Sequence, residues 1–131
     1  MKIMDADHCV AVLRGRLDLR PRVQPDEPLA ITTITTAELA YGAHKSAHPQ
    51  DNLTRLDAFL AGLEILPFDE ASARRYGYLR AVLEKNGQVI SDLDLQIASI
   101  ALESGVPLLT HNRQHFDRLT HYSELMLDDW L

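Results

Sequence analysis

Residues 91–110, SDLDLQIASIALESGVPLLT, read as a helix that runs almost directly into a strand. Leu93, Leu95, Ile97, Ala98, Ile100, Ala101 and Leu102 make the first part apolar on most faces, so the helix, beginning at Ser91 or Asp92 and ending near Ser104, belongs in the interior. Gly105 stops it, and Val106 to Leu109 form a strand. Downstream, a short helix is expected from Asn112 to Arg118 and a final edge strand from Leu125 to Leu127. Upstream, Asp69 caps a long helix that ends near Asn86-Gly87, and Leu63 to Phe68 reads as another buried strand. Asn52 to Leu60 carries helical spacing, while Leu29 to Ile34 is a β-prone run after which Thr35 opens a helix to about Lys45. Ile3-Met4 and His8 to Arg14 form the first strand and helix. Strands alternate with helices throughout and look buried on both sides, which predicts an α/β fold: one domain over residues 1–131, with a central parallel sheet and helices on both faces.

Composition narrows the classes of function. The 131 residues are 46% hydrophobic and 24% charged, so the chain is neither disordered nor in need of disulfide staples. Cys9 is the one cysteine, which excludes an internal disulfide and a cysteine-based zinc cage and fits a reducing cytoplasm. No apolar run is long enough to span a bilayer, and Asp5 and Asp7 interrupt the place where a targeting segment would need its apolar stretch. The expectation is a cytoplasmic protein with no membrane partner. A formal net charge of -6 argues against holding nucleic acid by blanket positive charge. The exception is the Pro-containing connection from Gly15 to Pro28, flanked and interrupted by Arg14, Arg16, Arg20 and Arg22.

Ligands of open parallel sheets bind beyond the carboxyl ends of the strands, where strand order reverses. Acids collect at those ends. Asp5 and Asp7 follow the first strand, Glu38 follows the second, Asp92 and Asp94 open the interior helix, and Thr110, Asn112 and His115 follow the strand after it. Asp94 leads the stripe Ile97, Ala98, Ala101, Leu102, and Glu38 shares a helical face with Ile34 and Tyr41, so both are expected on apolar faces. A capping box at Thr35-Thr36-Ala37-Glu38, and its Asp-bearing cousin at Ser91 to Asp94, would explain either acid singly. Caps do not explain why the acids recur on one edge of the sheet. Gathering carboxylates there is costly without a compensating cation, and oxygen-only ligation suits Mg²⁺ or Mn²⁺.

The blocks Met4-Asp5-Ala6-Asp7-His8, Thr36-Ala37-Glu38-Leu39-Ala40-Tyr41-Gly42, Leu66-Pro67-Phe68-Asp69, Asp92-Leu93-Asp94-Leu95-Gln96-Ile97-Ala98 and Leu109-Thr110-His111-Asn112 with Phe116 resemble PIN-domain ribonucleases, and most of all the VapC-type toxins of bacterial toxin–antitoxin pairs. The resemblance implies a PIN fold, Mg²⁺-dependent endoribonuclease activity (Mn²⁺ being the alternative ion), a homodimer and inhibition by a cognate antitoxin protein. It places the family's first three acids on Asp5, Glu38 and Asp94, as catalytic residues and metal ligands. The fourth acidic position falls where this chain has Asn112 and His115, which removes a charge and leaves open whether one or two metals bind. Asp92 and Thr110 would support the site, and Arg14, Arg16 and Arg113 would meet RNA phosphates. Two rivals remain at this level: a non-catalytic PIN-like RNA-binding module, and a phosphoacceptor receiver domain in which the strand Leu63 to Phe68 would deliver Asp69.

Overall fold

The computed structural model describes all residues, Met1–Leu131. In chain order the elements are β1 (Lys2–Met4), α1 (Ala6–Leu13), β2 (Leu29–Thr32), α2 (Thr33–His44), α3 (Pro49–Leu60), β3 (Glu64–Leu66), α4 (Glu70–Lys85), α5 (Asp92–Ser104), β4 (Leu108–Leu109), α6 (Arg113–Thr120) and β5 (Leu127–Asp128). The five strands form one sheet in the order β3-β2-β1-β4-β5, and every pair is parallel. From β1 the chain first builds outward through β2 and β3, then returns to add β4 and β5 on the other side. The reversal of strand order therefore lies between β1 and β4.

Successive residues of the inner strands serve opposite faces, as a period of two requires. Ile3, Ala30 and Leu108 enter one core with Leu79, Leu95, Ile97, Ile100 and Phe116, under α4, α5 and α6. Met4, Leu29, Ile31 and Leu109 enter a second with Cys9, Leu39, Leu56 and Trp130, under α1, α2 and α3. The helices thus cover both faces, and α5 is the interior helix expected, with Leu95 and Ile97 to Ala101 buried. Leu93 is the exception among its apolar residues, being exposed. No helix is long and apolar enough to cross a membrane.

Three local expectations are corrected. The strand expected at Leu63 to Phe68 is the three-residue edge strand β3, with Ile65 43% exposed, because only β2 pairs with it. The second helix starts two residues before Thr35: Thr32 is its N-cap and accepts a hydrogen bond from Thr35 N–H at 3.1 Å. Tyr41 is 66% exposed, so the face it shares with Glu38 is apolar only at the Ile34 end.

Candidate active site

Asp5 sits at the topological switch. Its N–H bonds to the Leu109 carbonyl at 2.9 Å, which ties the exit of β1 to the exit of β4. Its carboxylate caps α1 through Ala6 N–H at 2.8 Å and accepts the Thr110 hydroxyl at 2.8 Å. Thr110 Oγ1 in turn accepts Asn112 N–H at 3.0 Å, so Thr110 fixes both the carboxylate and the turn beyond β4. Asp5 is only 7% exposed. Burial pushes its carboxyl up to about 6, and the charges of Asp7 and Asp94 add to the effect against the opposing bonds from Ala6 and Thr110.

Glu38 lies in the second turn of α2, beyond the capping positions, because the cap is Thr32 rather than Thr35. The capping explanation of this acid therefore fails. Glu38 is half-buried, has no ion-pair partner, and is raised above the ordinary glutamate value by burial and then by the charges of Asp5, Asp94 and Asp7.

Asp94 occupies the third position of α5, where its N–H bonds to Ser91 Oγ at 3.3 Å. Only that half of the capping interaction forms. The Asp94 carboxylate turns instead to His115 Nδ1, 3.1 Å from Oδ2, and the same ring nitrogen lies 3.0 Å from Asn112 Nδ2. An ionised carboxylate only accepts, so the bond to Asp94 requires the proton on Nδ1, and that nitrogen then cannot also accept a hydrogen bond from Asn112 Nδ2. His115 thus stands against the third acid and Asn112 against His115, where a fourth carboxylate would have added repulsion.

The remaining expected residues are placed elsewhere or otherwise engaged. Asp92 accepts the Tyr76 hydroxyl at 2.8 Å and lies 3.5 Å from Arg80, which turns it away from Asp94. Asp7 accepts from His8 Nδ1 at 2.8 Å and from His111 N–H at 2.9 Å. Asp69 caps α4 through Ser72 N–H at 2.9 Å beside an edge strand, which removes the receiver-domain reading of that acid. Arg113 pairs with Asp117 at 3.6 Å, and Arg16 is exposed. Arg14 lines a groove of 430 Å³ between α1, α2 and α3 that reaches Glu38 and Ala6, the residue after Asp5. Lys45 and Arg55 line it too, and sequence reading missed them because α2 and α3 carry them singly, far from the arginine-rich connection.

Asp5, Glu38 and Asp94 thus form a group of mutually repelling acids with no lysine or arginine within ion-pair distance. No three carboxylate, imidazole or thiol side chains lie together closely enough, as they stand, to hold a metal ion. Mg²⁺ keeps several waters and takes one or two carboxylates alongside a substrate phosphate, so it asks fewer side-chain ligands of Asp5, Glu38 and Asp94 than a structural ion would.

Residues 3–122 match the PIN domain family. The chain is 40% identical over 102 residues to Ribonuclease VapC2 of Rickettsia felis, covering 78% of this chain and 74% of that one. It is 29% identical over 130 residues to the tRNA(fMet)-specific endonuclease VapC of Shigella flexneri, covering 98% and 96%. Among solved structures, VapBC from Salmonella typhimurium bound to DNA superposes with a TM-score of 0.89 at 30% identity over 99% of this chain and 98% of that one. VapBC2 from Rickettsia felis, bound to a promoter DNA fragment, gives 0.84 at 32% identity with the same coverage. A parallel sheet of this order, the acids at its switch point and these likenesses agree: the chain belongs to the PIN-domain family, among its VapC members.

Proposed function

We propose that this chain is a Mg²⁺-dependent endoribonuclease, the toxin of a toxin–antitoxin pair, with Asp5, Glu38 and Asp94 as its metal-holding and catalytic acids. The observation that carries the reading is the almost wholly buried Asp5 at the β1–β4 switch, raised to about 6 and facing further acids with no cation to balance them. A structural role would not favour such an arrangement, since each uncompensated buried charge is destabilising.

When bound, Mg²⁺, or Mn²⁺ in its place, supplies the positive charge that lets an RNA phosphate approach these acids and makes water more acidic. The chain's own residues divide the other tasks. Asp5 is held in one orientation by Ala6 N–H and the Thr110 hydroxyl, and Asp94 by His115. Glu38 has no such restraint, and its raised affinity for protons suits it to accept one from the attacking water. The relatives solved as VapBC complexes support a VapB-type antitoxin as partner, and the relatives named ribonucleases support RNA as substrate. A homodimer belongs to the same proposal, and light scattering of the purified protein tests it.

The test of activity is direct. Antitoxin-free protein incubated with structured RNA should cleave it with Mg²⁺ and not in EDTA. A folded, Mg²⁺-loaded protein that leaves RNA intact would falsify the nuclease reading and favour the non-catalytic RNA-binding module, to which the missing fourth carboxylate at Asn112 and His115 points.

A further inference from the structure

The chain carries 13 lysines and arginines against 19 acids. Six of the 13 are paired with a carboxylate. Of the other seven, Arg14, Lys45 and Arg55 line the same groove between α1, α2 and α3. Arg55 is anchored by its guanidinium to the Leu13 carbonyl at the end of α1, which keeps a positive charge on the wall where α1 and α3 meet. Glu38, the one acid of the lining, stands at the site end of the groove. One turn along α2 from Glu38, the exposed Tyr41 ring carries Lys45 Nζ 4.8 Å from its centroid. Tyr41 stands outside the lining, next to Gly42 and Lys45, which belong to it. An exposed aromatic ring with an unpaired cation has the two components by which proteins hold unpaired nucleotides: a face for stacking and charge for the backbone.

We propose that this groove binds a single-stranded segment of the RNA substrate, with Arg14, Lys45 and Arg55 on its phosphates and Tyr41 stacked on a base. The inference rests on the nuclease reading for its substrate and gives that reading a direction: the strand leaves the acids past Glu38 and runs between α2 and α1 towards α3. It also answers how a chain of net charge -6 retains RNA. Three of the seven cations without a carboxylate partner lie along this one groove, while Arg16 stays outside its lining and Arg113 is paired with Asp117. Because stacking tolerates any base, the groove supplies affinity and strand orientation rather than a strict sequence code.

Binding of a fluorescently labelled single-stranded oligouridylate to the full chain in EDTA, followed by anisotropy over a salt series, tests this without any turnover. Arg14→Gln and Lys45→Gln should each weaken binding and reduce the salt slope by about 0.7, the value for one phosphate contact on a single strand. Tyr41→Ala should weaken binding about fivefold or more with the slope unchanged, and Tyr41→Trp should restore it. Arg16→Gln serves as the surface control and should bind as wild type. Arg55 is left intact because its bond to Leu13 also holds α3 against α1. With Mg²⁺ present, the Tyr41 and Lys45 variants should raise KM and keep kcat. Wild-type affinity in the Tyr41→Ala and Lys45→Gln proteins, or loss of affinity for a protein partner alone, overturns the groove while leaving the nuclease reading intact. The expected binding pattern in a protein that never cleaves does the reverse.

Discussion

Asp5 and Asp7 are two residues apart, and so are Asp92 and Asp94, yet within each pair the two acids have opposite surroundings. Asp5 is buried, repelled by other acids and raised to about 6, whereas Asp7 receives hydrogen bonds from His8 and His111 and falls below the ordinary aspartate value despite its burial. Asp94 faces the site and His115, whereas Asp92 faces Tyr76 and Arg80. The difference lies in what meets each carboxylate. Asp7 joins a network that fastens the C-terminal segment to α1: His8 Nε2 accepts Trp130 N–H at 3.0 Å, and Asp129 accepts from His111 at 2.8 Å. Asp7 and Asp92 are met by partners that draw them out of the acid group, whereas Asp5 and Asp94, although Asp5 caps α1 and Asp94 meets His115, still face one another's charge.

The sharpest way to break this comparison is to neutralise one member at a time. Asp94→Asn and Asp5→Asn should each lower RNA cleavage by at least about 100-fold, since replacing even a supporting residue of a metal site costs 10–100-fold. Asp7→Asn should lower the melting temperature and keep most of the cleavage at temperatures where the protein is folded. Equal losses of cleavage in the Asp5 and Asp7 variants would show that the two acids are not divided in this way.

Stability should separate them in sign as well. The folded state raises Asp5 from 3.8 to about 6, so it binds the proton more tightly than the unfolded chain does. Its contribution is present below pH 3.8 and is lost as pH rises through about 6, leaving a cost on the order of 3 kcal/mol at neutral pH in the metal-free protein. Asp5→Asn should therefore raise the melting temperature of the EDTA-treated protein at pH 7.5 and have little effect near pH 4. Asp7 is lowered, so its contribution is present above pH 3.8 and disappears only as pH falls below that value. Thermal melts of the two variants across this range should diverge in opposite directions.

The fold was legible in residues 91–110 because the interior helix is apolar on most faces and the strand after it lacks a polar face; the helix lies where that stretch placed it, and the strand is the C-terminal half, Leu108–Leu109, of the run expected from Val106 to Leu109. Leu63 to Phe68 misled because a largely apolar run of that length looks the same on an edge as in the centre of a sheet, and position depends on pairing that only the fold determines. The start of α2 misled for a different reason. Four threonines between Thr32 and Thr36 offer several equivalent caps, and the choice of Thr32 rests on where β2 ends. That Asp5, Glu38 and Asp94 lie near one another was legible from two of them following strands and the third opening the interior helix, but the engagements of their neighbours were not. Nothing local distinguishes Asp92 from Asp94: the separation comes from Tyr76 and Arg80 on α4 and from His115 on α6, which reach α5 through tertiary packing.

His115 offers a smaller and more specific test of the same distinction. It touches Asp94 without belonging to the three acids, so it is a positioning residue. His115→Ala should raise the Mg²⁺ concentration needed for half-maximal cleavage about tenfold, within the range for partners of metal-holding residues, and leave the rate at saturating Mg²⁺ within a few-fold of wild type. His115→Gln, which can still donate a hydrogen bond, should recover part of the loss. A residue that only packed α6 against α5 would change the melting temperature and leave the Mg²⁺ dependence where it was.

The smallest effect is expected at Asp92, and it matters because sequence proximity argues the opposite. Its carboxylate is largely exposed and paired with an exposed arginine and a tyrosine hydroxyl, an arrangement that water and salt screen effectively. Asp92→Asn retains an oxygen for the Tyr76 hydroxyl and removes only the charge facing Arg80. Cleavage should stay within about twofold of wild type and the melting temperature within about two degrees, as for other exposed pairs. A loss of Mg²⁺-dependent cleavage comparable to that of Asp94→Asn would mean that Asp92 turns from Tyr76 towards the site when the metal binds, and the division of labour within the Asp92–Asp94 pair would then belong to the metal-free protein alone.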